Sequence, residues 1–250
     1  MTDGIGKEFI EHTKYKYLSE SLQRQGVPQP PLELPYEPGA ELIPLPDPET
    51  IPAFPVDLRK AIDLRKTLRR YKQQSLTKEE LSFLLWTTQG VKSVTKRPVT
   101  LRTVPSAGAR HAFETYLLIN QVEGIEPGLY RFISLEHALL PVEVNATVVD
   151  RVTEGCMDQN QVAKSAITFI WVAVTERMHW RYGDRGYRYL HLDAGHVCQN
   201  LYLAAEAIQS GVCAIAAFDD DLLNEAIHVD GQDQWAIYCA SLGKRSLSSI

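Results

Sequence analysis

The chain has 250 residues, 44% of them hydrophobic and 23% charged, a composition typical of a globular protein with a large core. Its net charge of −5 at pH 7 argues against nucleic acid or an anionic membrane as the main partner, and no apolar run reaches the length of a membrane-spanning helix. The charged N-terminal residues lack the apolar core of a secretion signal, so we expect a cytoplasmic protein.

Residues 1–56 are predicted to form an N-terminal extension. Helical periodicity over residues 7–25 predicts a helix that ends at Gly26. Most of the chain's prolines lie between residues 27 and 55, where they exclude both a helix and a central strand. Because apolar side chains are interleaved with these prolines, we expect the segment to wrap over a surface rather than to be disordered.

The main domain is predicted over residues 57–250 and begins with two helices. Asp57 is expected to cap the first helix. Thr77 and Glu80 have the spacing of a capping box for the second helix, which should close near Gly90. Further along we expect a long helix over residues 191–210 and strands over the ranges 113–119, 129–132, 166–174, 212–218 and 235–242. Helices and strands mix without strict βαβ repetition, which favours the α+β class.

The long helix is predicted to end at Gly211 in the left-handed conformation. The strand after it carries a run of small residues, Ala214 to Ala217, that leaves the backbone bare. A flat ligand could lie against main-chain N–H groups there. A tightly packed core strand is the alternative, and these residues alone leave both interpretations open.

Two basic clusters are candidates for binding phosphate. Arg65 and Arg69 lie four residues apart, and Lys244 with Arg245 follow the final predicted strand. Each cluster alone is equally typical of a solvated surface. The chain has neither a G-x-G-x-x-G fingerprint nor a P-loop, so the usual Rossmann and P-loop nucleotide sites are not supported.

The four cysteines lie far apart without the spacing of a zinc site, so we expect free buried thiols and no metal. Asp193 and His196 could be two metal ligands on one helix face, but no third ligand accompanies them, and a network at a dimer interface is the favoured interpretation. Asp219 to Asp221 are expected to begin a helix, where carboxylates suit the positive end of the helix dipole.

Four ordered motifs together resemble the nitroreductase-like flavoenzymes. RKTLRRY resembles the opening flavin motif of that family, and PSAGARHAFETYL resembles the stretch that approaches the flavin from the partner subunit. LDAGHVCQNLYLAAEAI and GVCAIAAFDDD resemble the interface helix and the strand under the flavin ring. The proline-rich wrap and WRYGDRGYRY resemble the SagB-type branch, which includes azoline oxidases of peptide-modifying clusters.

The resemblance implies a central, mostly antiparallel sheet flanked by helices in a domain-entwined homodimer, with FMN at the subunit interface. It implies an oxidoreductase that transfers hydride through the flavin in alternate half-reactions, with NAD(P)H as a possible reductant. The substrate would be a small organic molecule or a peptide. The alternative is a non-catalytic flavin-binding or assembly subunit of a peptide-modifying complex.

The resemblance also assigns roles to residues. In the first motif, Arg65, Lys66 and Thr67 would hold the phosphate and ribityl chain, and Arg69 would lie at the pyrimidine end of the ring, where its charge stabilises the anion formed on reduction. Lys244 and Arg245 would add phosphate charge. The residues that would line the flavin from the other subunit are Pro105, Ser106, Ala107 and Gly108. The residues that would lie under the ring, with the N–H of Ala216 nearest its reactive nitrogen, are Ala214, Ile215, Ala216 and Ala217.

One departure concerns the catalytic pair. Azoline-oxidising members carry a Lys-Tyr pair before the interface helix, whereas this chain has Arg181 and Tyr182. Arginine is always protonated in proteins and does not act as a base, so azoline oxidation is in doubt. Tyr182 could still exchange a proton with a substrate above the flavin, and simple aromatic packing is its alternative role.

Overall fold

The computed structural model describes residues 4–246. The helices are α1 (Ile5–His12), α2 (Leu58–Leu64), α3 (Lys78–Gln89), α4 (Thr147–Gly155), α5 (Gln161–Lys164), α6 (Thr175–Tyr182), α7 (Gly186–Ala207) and α8 (Asp220–Ala226). The strands are β1 (Ile43–Pro44), β2 (Val91–Val94), β3 (Thr100–Arg102), β4 (Phe113–Ile119), β5 (Gly128–Ile133), β6 (Ala138–Glu143), β7 (Ile167–Val174), β8 (Ser210–Ile215) and β9 (Gln234–Lys244). The predicted domain boundaries at residues 1 and 250 lie outside the described residues.

Seven strands form one sheet in the order β1-β6-β5-β4-β7-β9-β8, and every neighbouring pair in it is antiparallel. Strands β2 and β3 form a separate antiparallel pair. The interior strand β7 is buried along its whole length, because helices cover both faces of the sheet. The predicted α+β class with a mostly antiparallel sheet flanked by helices is confirmed.

The sheet separates two hydrophobic cores. On one face, Leu117 and Trp171 of the sheet pack in a cluster with Leu84 of α3 and Leu201 of α7. On the other face the cluster consists of alternate sheet residues and the apolar sides of α4 and α8. This division follows from the two-residue side-chain period of a strand. Helix α7 therefore lies on the first face, beside α3.

Both predicted caps at the start of the main domain are present. The Asp57 carboxylate accepts a hydrogen bond from the N–H of Lys60 at 2.8 Å and begins α2. Thr77 and Glu80 make both bonds of the capping box and begin α3, which ends at Gly90.

The predicted helix over residues 7–25 is wrong beyond its first turns, because α1 ends at His12. The hydroxyl of Thr13 bonds back to the carbonyl of Phe9 at 2.5 Å. Contacts with α6 and α7 then hold the chain in an irregular path: Arg188 donates to the Thr13 hydroxyl at 2.6 Å, and the N–H of Gln23 donates to the carbonyl of Trp180 at 2.9 Å. Tertiary contacts thus override the local helical pattern.

The proline-rich segment runs over the body in extended form and is held by its backbone. The buried Glu114 carboxylate accepts the N–H of Leu34 at 2.9 Å, and Arg131 donates to the carbonyls of Leu34 and Pro35 at 3.1 and 3.0 Å. Arg177 donates to the carbonyl of Pro31 at 2.9 Å. Prolines have no N–H, so this segment is held mainly through its carbonyls and its few non-proline N–H groups.

The end of α7 differs from the sequence prediction. The helix begins at Gly186, earlier than expected, and ends at Ala207. The left-handed residue after it is Gln209 (φ 54°), so the prediction of Gly211 in that role is wrong. Gly211 lies instead in β8, which covers Ser210–Ile215 and stops before Ala216.

Candidate functional site

The first basic motif lies along the edge of β8. The N–H of Leu68 donates to the carbonyl of Val212 at 2.9 Å, and the N–H of Lys72 donates to the carbonyl of Lys244 at 2.9 Å. Gly211 permits this approach, because a Cβ added there would lie 2.6 Å from a Leu68 methyl carbon. The fold therefore brings the motif at residues 65–71 and the small-residue strand together, although about 140 residues of sequence separate them.

Tyr202 of α7 joins these two segments and was missed from the sequence. Its hydroxyl accepts the N–H of Ala214 at 3.0 Å and lies 3.3 Å from the hydroxyl of Thr67. The guanidinium of Arg65 stacks over its ring at 5.3 Å, a distance at which a cation is attracted to the ring face. The only signal in the sequence was its place on the helix face, which indicated packing rather than a contact with the site.

The strand end offers bare backbone, as the alanines suggested. Ala214 is half-buried and Ile215 buried, whereas Ala216 and Ala217 lie beyond the strand and are exposed. Within residues 4–246 the N–H of Ala216 has no acceptor. This N–H is free to meet a ligand.

The charges of the first motif lie beside this bare backbone. Arg65 is half-buried, and Lys66, Thr67 and Arg69 are exposed. Burial raises the pKa of the Cys213 thiol in β8, and the nearby guanidinium of Arg69 opposes that rise. Arg69 therefore projects a positive charge toward the strand that carries Ala214.

The second basic cluster is largely engaged within the chain. Lys244 is the last residue of β9 and only 8% exposed; its ammonium is paired with Glu80 and donates to the carbonyl of Ile208 at 2.8 Å. Arg245 is paired with Glu206. Arg245 also lines a cavity of about 580 Å³ together with Lys66. A phosphate role for Lys244 would require its ion pair to open, whereas Arg245 lies at a cavity wall.

Pro105 to Gly108 form a loop fixed to the N-terminal half of α7. The Asp193 carboxylate accepts the hydroxyl of Ser106 at 2.6 Å and the N–H of Ala107 at 3.2 Å. Burial raises the pKa of Asp193, and the bond from Ser106 opposes the rise. In this chain Asp193 bonds to a loop of the same chain, and the predicted network between subunits stays a prediction.

The same loop contacts the candidate catalytic pair. Gly108 has a φ of 58°, and a Cβ added there would lie 2.4 Å from the hydroxyl oxygen of Tyr182 and 2.8 Å from Nε of Arg181. Glycine is needed here both for its backbone conformation and for this close approach. Arg181 and Tyr182 are half-buried, and the Tyr182 ring packs edge-on against Tyr189 at 4.9 Å.

One chain does not bring the two halves of the predicted site together. One half is held by Tyr202 and the other by Asp193, nine residues apart on α7. Nine residues are two and a half helical turns, so these side chains leave opposite sides of the helix about 14 Å apart along its axis. The half at residues 65–69 and 214–217 is therefore separate from the half at residues 105–108 and 181–182.

Other kinds of site are not found in the described part of the chain. Within residues 4–246 no group of three or more His, Cys, Asp or Glu side chains could hold a metal ion. The four cysteines are buried and free, as predicted. Among the described helices, none has the length and apolar character needed to cross a membrane.

Comparisons with known proteins find similarity to one family over most of the chain. The model of the nitroreductase family matches residues 62–244. A Methanocaldococcus jannaschii protein named "Putative nitroreductase MJ1384" is 34% identical over 187 residues, which cover 75% of this chain and 89% of that protein. The microcin B17-processing protein McbC of Escherichia coli is 27% identical over 134 residues, covering 52% of this chain and 49% of that protein.

A solved structure extends the likeness to the N-terminal segment. A chain of the E. coli microcin synthetase McbBCD complex, solved with truncated pro-MccB17 bound, matches with a TM-score of 0.61 and 19% identity. The match covers 96% of this chain and 86% of that chain. At this identity the likeness concerns the fold alone, and it includes residues that precede the family match.

Proposed function

The chain belongs to the nitroreductase family, and we propose that it is an FMN-dependent oxidoreductase of the SagB-type branch acting on a small organic or peptide substrate. The observation that carries the proposal is the junction at Tyr202, where a cationic motif and a bare-backbone strand end meet. FMN, when bound, supplies the capacity to accept a hydride from a reductant such as NAD(P)H and to pass it to a second substrate.

The residues at this junction fit a planar, anionic cofactor. Arg65, Thr67 and Arg69 supply cationic and hydroxyl donors for a phosphate and a polyol chain. The exposed N–H of Ala216 supplies a donor beside small side chains that permit close approach. Arg69 holds a positive charge near this strand, where it would stabilise negative charge that develops on reduction.

A homodimer would complete the site. In the dimer proposed here, the loop at residues 105–108 and the pair Arg181 and Tyr182 reach the cofactor held by the partner's first motif. The exposed side of α7 supports this arrangement, because Leu192 is 61% exposed and Gly195 has open space around it. A groove of about 400 Å³ beside it is lined by apolar side chains of α3 and α7, among them Trp86 and Leu203.

Tyr182 is the candidate for proton exchange with the substrate, and Arg181 positions charge beside it. The Arg181 guanidinium lies 5.6 Å from the centre of the Tyr182 ring. Because an arginine does not deprotonate, its role here is binding and orientation rather than general base catalysis.

Cofactor uptake and turnover test the proposal directly. The purified protein should bind FMN on reconstitution, and the flavin absorbance should bleach with NADH or NADPH under nitrogen and return when an acceptor is added. Arg69→Ala should slow the bleaching more than it weakens FMN binding, and Arg70→Ala, an adjacent exposed arginine, serves as the matched control.

Two results would change the conclusion. A protein that takes up no FMN would refute the proposal. Bound FMN that no reductant bleaches would instead favour the non-catalytic subunit of a peptide-modifying complex, for which the fold likeness to a chain of the microcin synthetase is the supporting observation.

A further inference from the structure

Another cavity, of about 480 Å³, lies next to Arg181 and Tyr182 on the side facing the N-terminal segment. Its walls come from residues 15–24 on one side and from the end of α6 and the turn after it on the other. Three arginines line it: Arg24, Arg181 and Arg185.

Among the described residues, two of these guanidinium groups have no anionic partner. Within residues 4–246, neither the Arg24 nor the Arg181 side chain makes a hydrogen bond or an ion pair. Glu20 is the one carboxylate that lines the cavity, and it pairs with none of the three arginines within the described residues. By contrast, the half-buried guanidinium of Arg245 is paired with Glu206.

The positive charge continues beside the cavity. Arg110 stacks over Trp180 at 5.1 Å and donates to the carbonyl of Gly108 at 3.2 Å. Burial lowers the pKa of Arg110, and the neighbouring positive charges of Arg181 and Arg97 lower it further. Like charges held this close raise the free energy of the empty site and favour the binding of an anion.

The cavity wall formed by the N-terminal segment is fixed in place. Arg185 donates to the carbonyl of Thr13 at 2.9 Å and to the hydroxyl of Tyr189 at 2.8 Å, and it stacks over Tyr15 at 4.2 Å. The Tyr15 and Tyr189 hydroxyls lie 3.0 Å apart. The hydrogen bonds and ring contacts of Arg185 are therefore made within the chain, and Arg24 and Arg181 are the two arginines left to bind a ligand in the cavity.

We propose that this cavity binds the oxyanion of a ligand, a carboxylate or a phosphate, through Arg24 and Arg181, and so holds an anionic substrate or reductant beside Tyr182. Guanidinium groups bind both kinds of oxyanion in bidentate geometry. The link to turnover rests on the proposed function, whereas the binding itself does not. The two sources of the oxyanion are the organic substrate and the dinucleotide reductant.

Pairs of probes with nearly the same shape and different charge show whether the cavity binds negative charge. Calorimetry on the full chain compares 4-nitrobenzoate with 4-nitrobenzamide, which has nearly the same shape without the charge, and NADPH with NADH. Each comparison is repeated in Arg24→Gln, Arg181→Gln and the control Arg59→Gln, which removes a surface arginine that is 91% exposed. Arg24 is exposed, so its replacement does not endanger folding.

We expect the wild-type protein to bind one probe more tightly than its matched partner in the same pair. The ratio of the two affinities should fall about tenfold in Arg24→Gln and in Arg181→Gln, as the loss of one charge-assisted hydrogen bond implies, and should be unchanged in Arg59→Gln. Raising the salt concentration should reduce the same preference. A preference confined to 4-nitrobenzoate assigns the cavity to the substrate, and one confined to NADPH assigns it to the reductant.

Equal affinities within both pairs of probes, or preferences that survive in both variants, would overturn the proposal. A preference that is present and sensitive to Arg181→Gln in a protein without flavin turnover would leave the anion site standing while the proposed oxidoreductase function fails. The two conclusions are therefore tested independently.

Discussion

Replacing Tyr202 with phenylalanine tests the junction on which the site depends. The variant keeps the aromatic ring under Arg65 and removes only the hydroxyl, which accepts the N–H of Ala214 at 3.0 Å and lies 3.3 Å from the hydroxyl of Thr67. Ala214 is half-buried, so water can replace the lost acceptor of its N–H only in part.

The size of the effect follows from these contacts. An unsatisfied N–H costs about 1–3 kcal/mol when fully buried, so at this half-buried position we expect a loss of about 1–2 kcal/mol in the free energy of unfolding. In a domain of this size that corresponds to a fall in Tm of about 2–8 °C. The bond to exposed Thr67 adds little. FMN affinity should fall as well, because Ala214 and Thr67 are no longer held together.

The measurements are thermal unfolding by circular dichroism and titration with FMN. Tyr187→Phe is the matched control, since Tyr187 lies on the same helix and its hydroxyl makes no hydrogen bond within the described residues. A Tyr202→Phe protein with wild-type Tm and wild-type FMN affinity would refute the view that this hydroxyl holds the site together.

Three further predictions concern stability, pH and assembly. Glu114→Gln should lower the free energy of unfolding by about 3–5 kcal/mol, because it breaks a buried ion pair with Arg177. Urea unfolding should also show that replacing Glu114 by Leu and Arg177 by Met together lowers this free energy by less than the sum of the two single replacements. Burial and, after it, the nearby Arg charges lower the pKa of His111 from its usual 6.5 to about 3. The contribution of His111 to the free energy of unfolding is therefore fully present above pH 6.5 and is lost as the pH falls toward 3. His111→Asn, which tolerates the positive φ of 43° there, should flatten this part of the plot of unfolding free energy against pH measured with urea, and an unchanged plot would contradict the assignment. Leu192→Asp should convert a dimer to monomers in sedimentation velocity, while Leu135→Asp, at another exposed leucine, should not; a monomeric wild-type protein would rule out the dimer.

Local capping signals predicted where α2 and α3 begin. Asp57 and the Thr77 capping box act within one helical turn, so neighbouring residues suffice to specify them. The end of α1 at His12 depends on contacts from Arg188, far along the chain. The residue that follows α7 in left-handed conformation is Gln209 rather than Gly211, because Gly211 is needed in β8 for the approach of Leu68.

The sequence by itself determined the family, the α+β class, the main strands and the basic and small-residue motifs, since each depends on short-range pattern or ordered motifs. Only the tertiary structure decided which motifs meet. It joined residues 65–69 to β8 through Tyr202, turned Lys244 inward to Glu80, and put Gly108 against Tyr182. These pairings depend on long-range packing of α7 against the sheet, which no local pattern encodes, and they leave two half-sites on opposite sides of one helix.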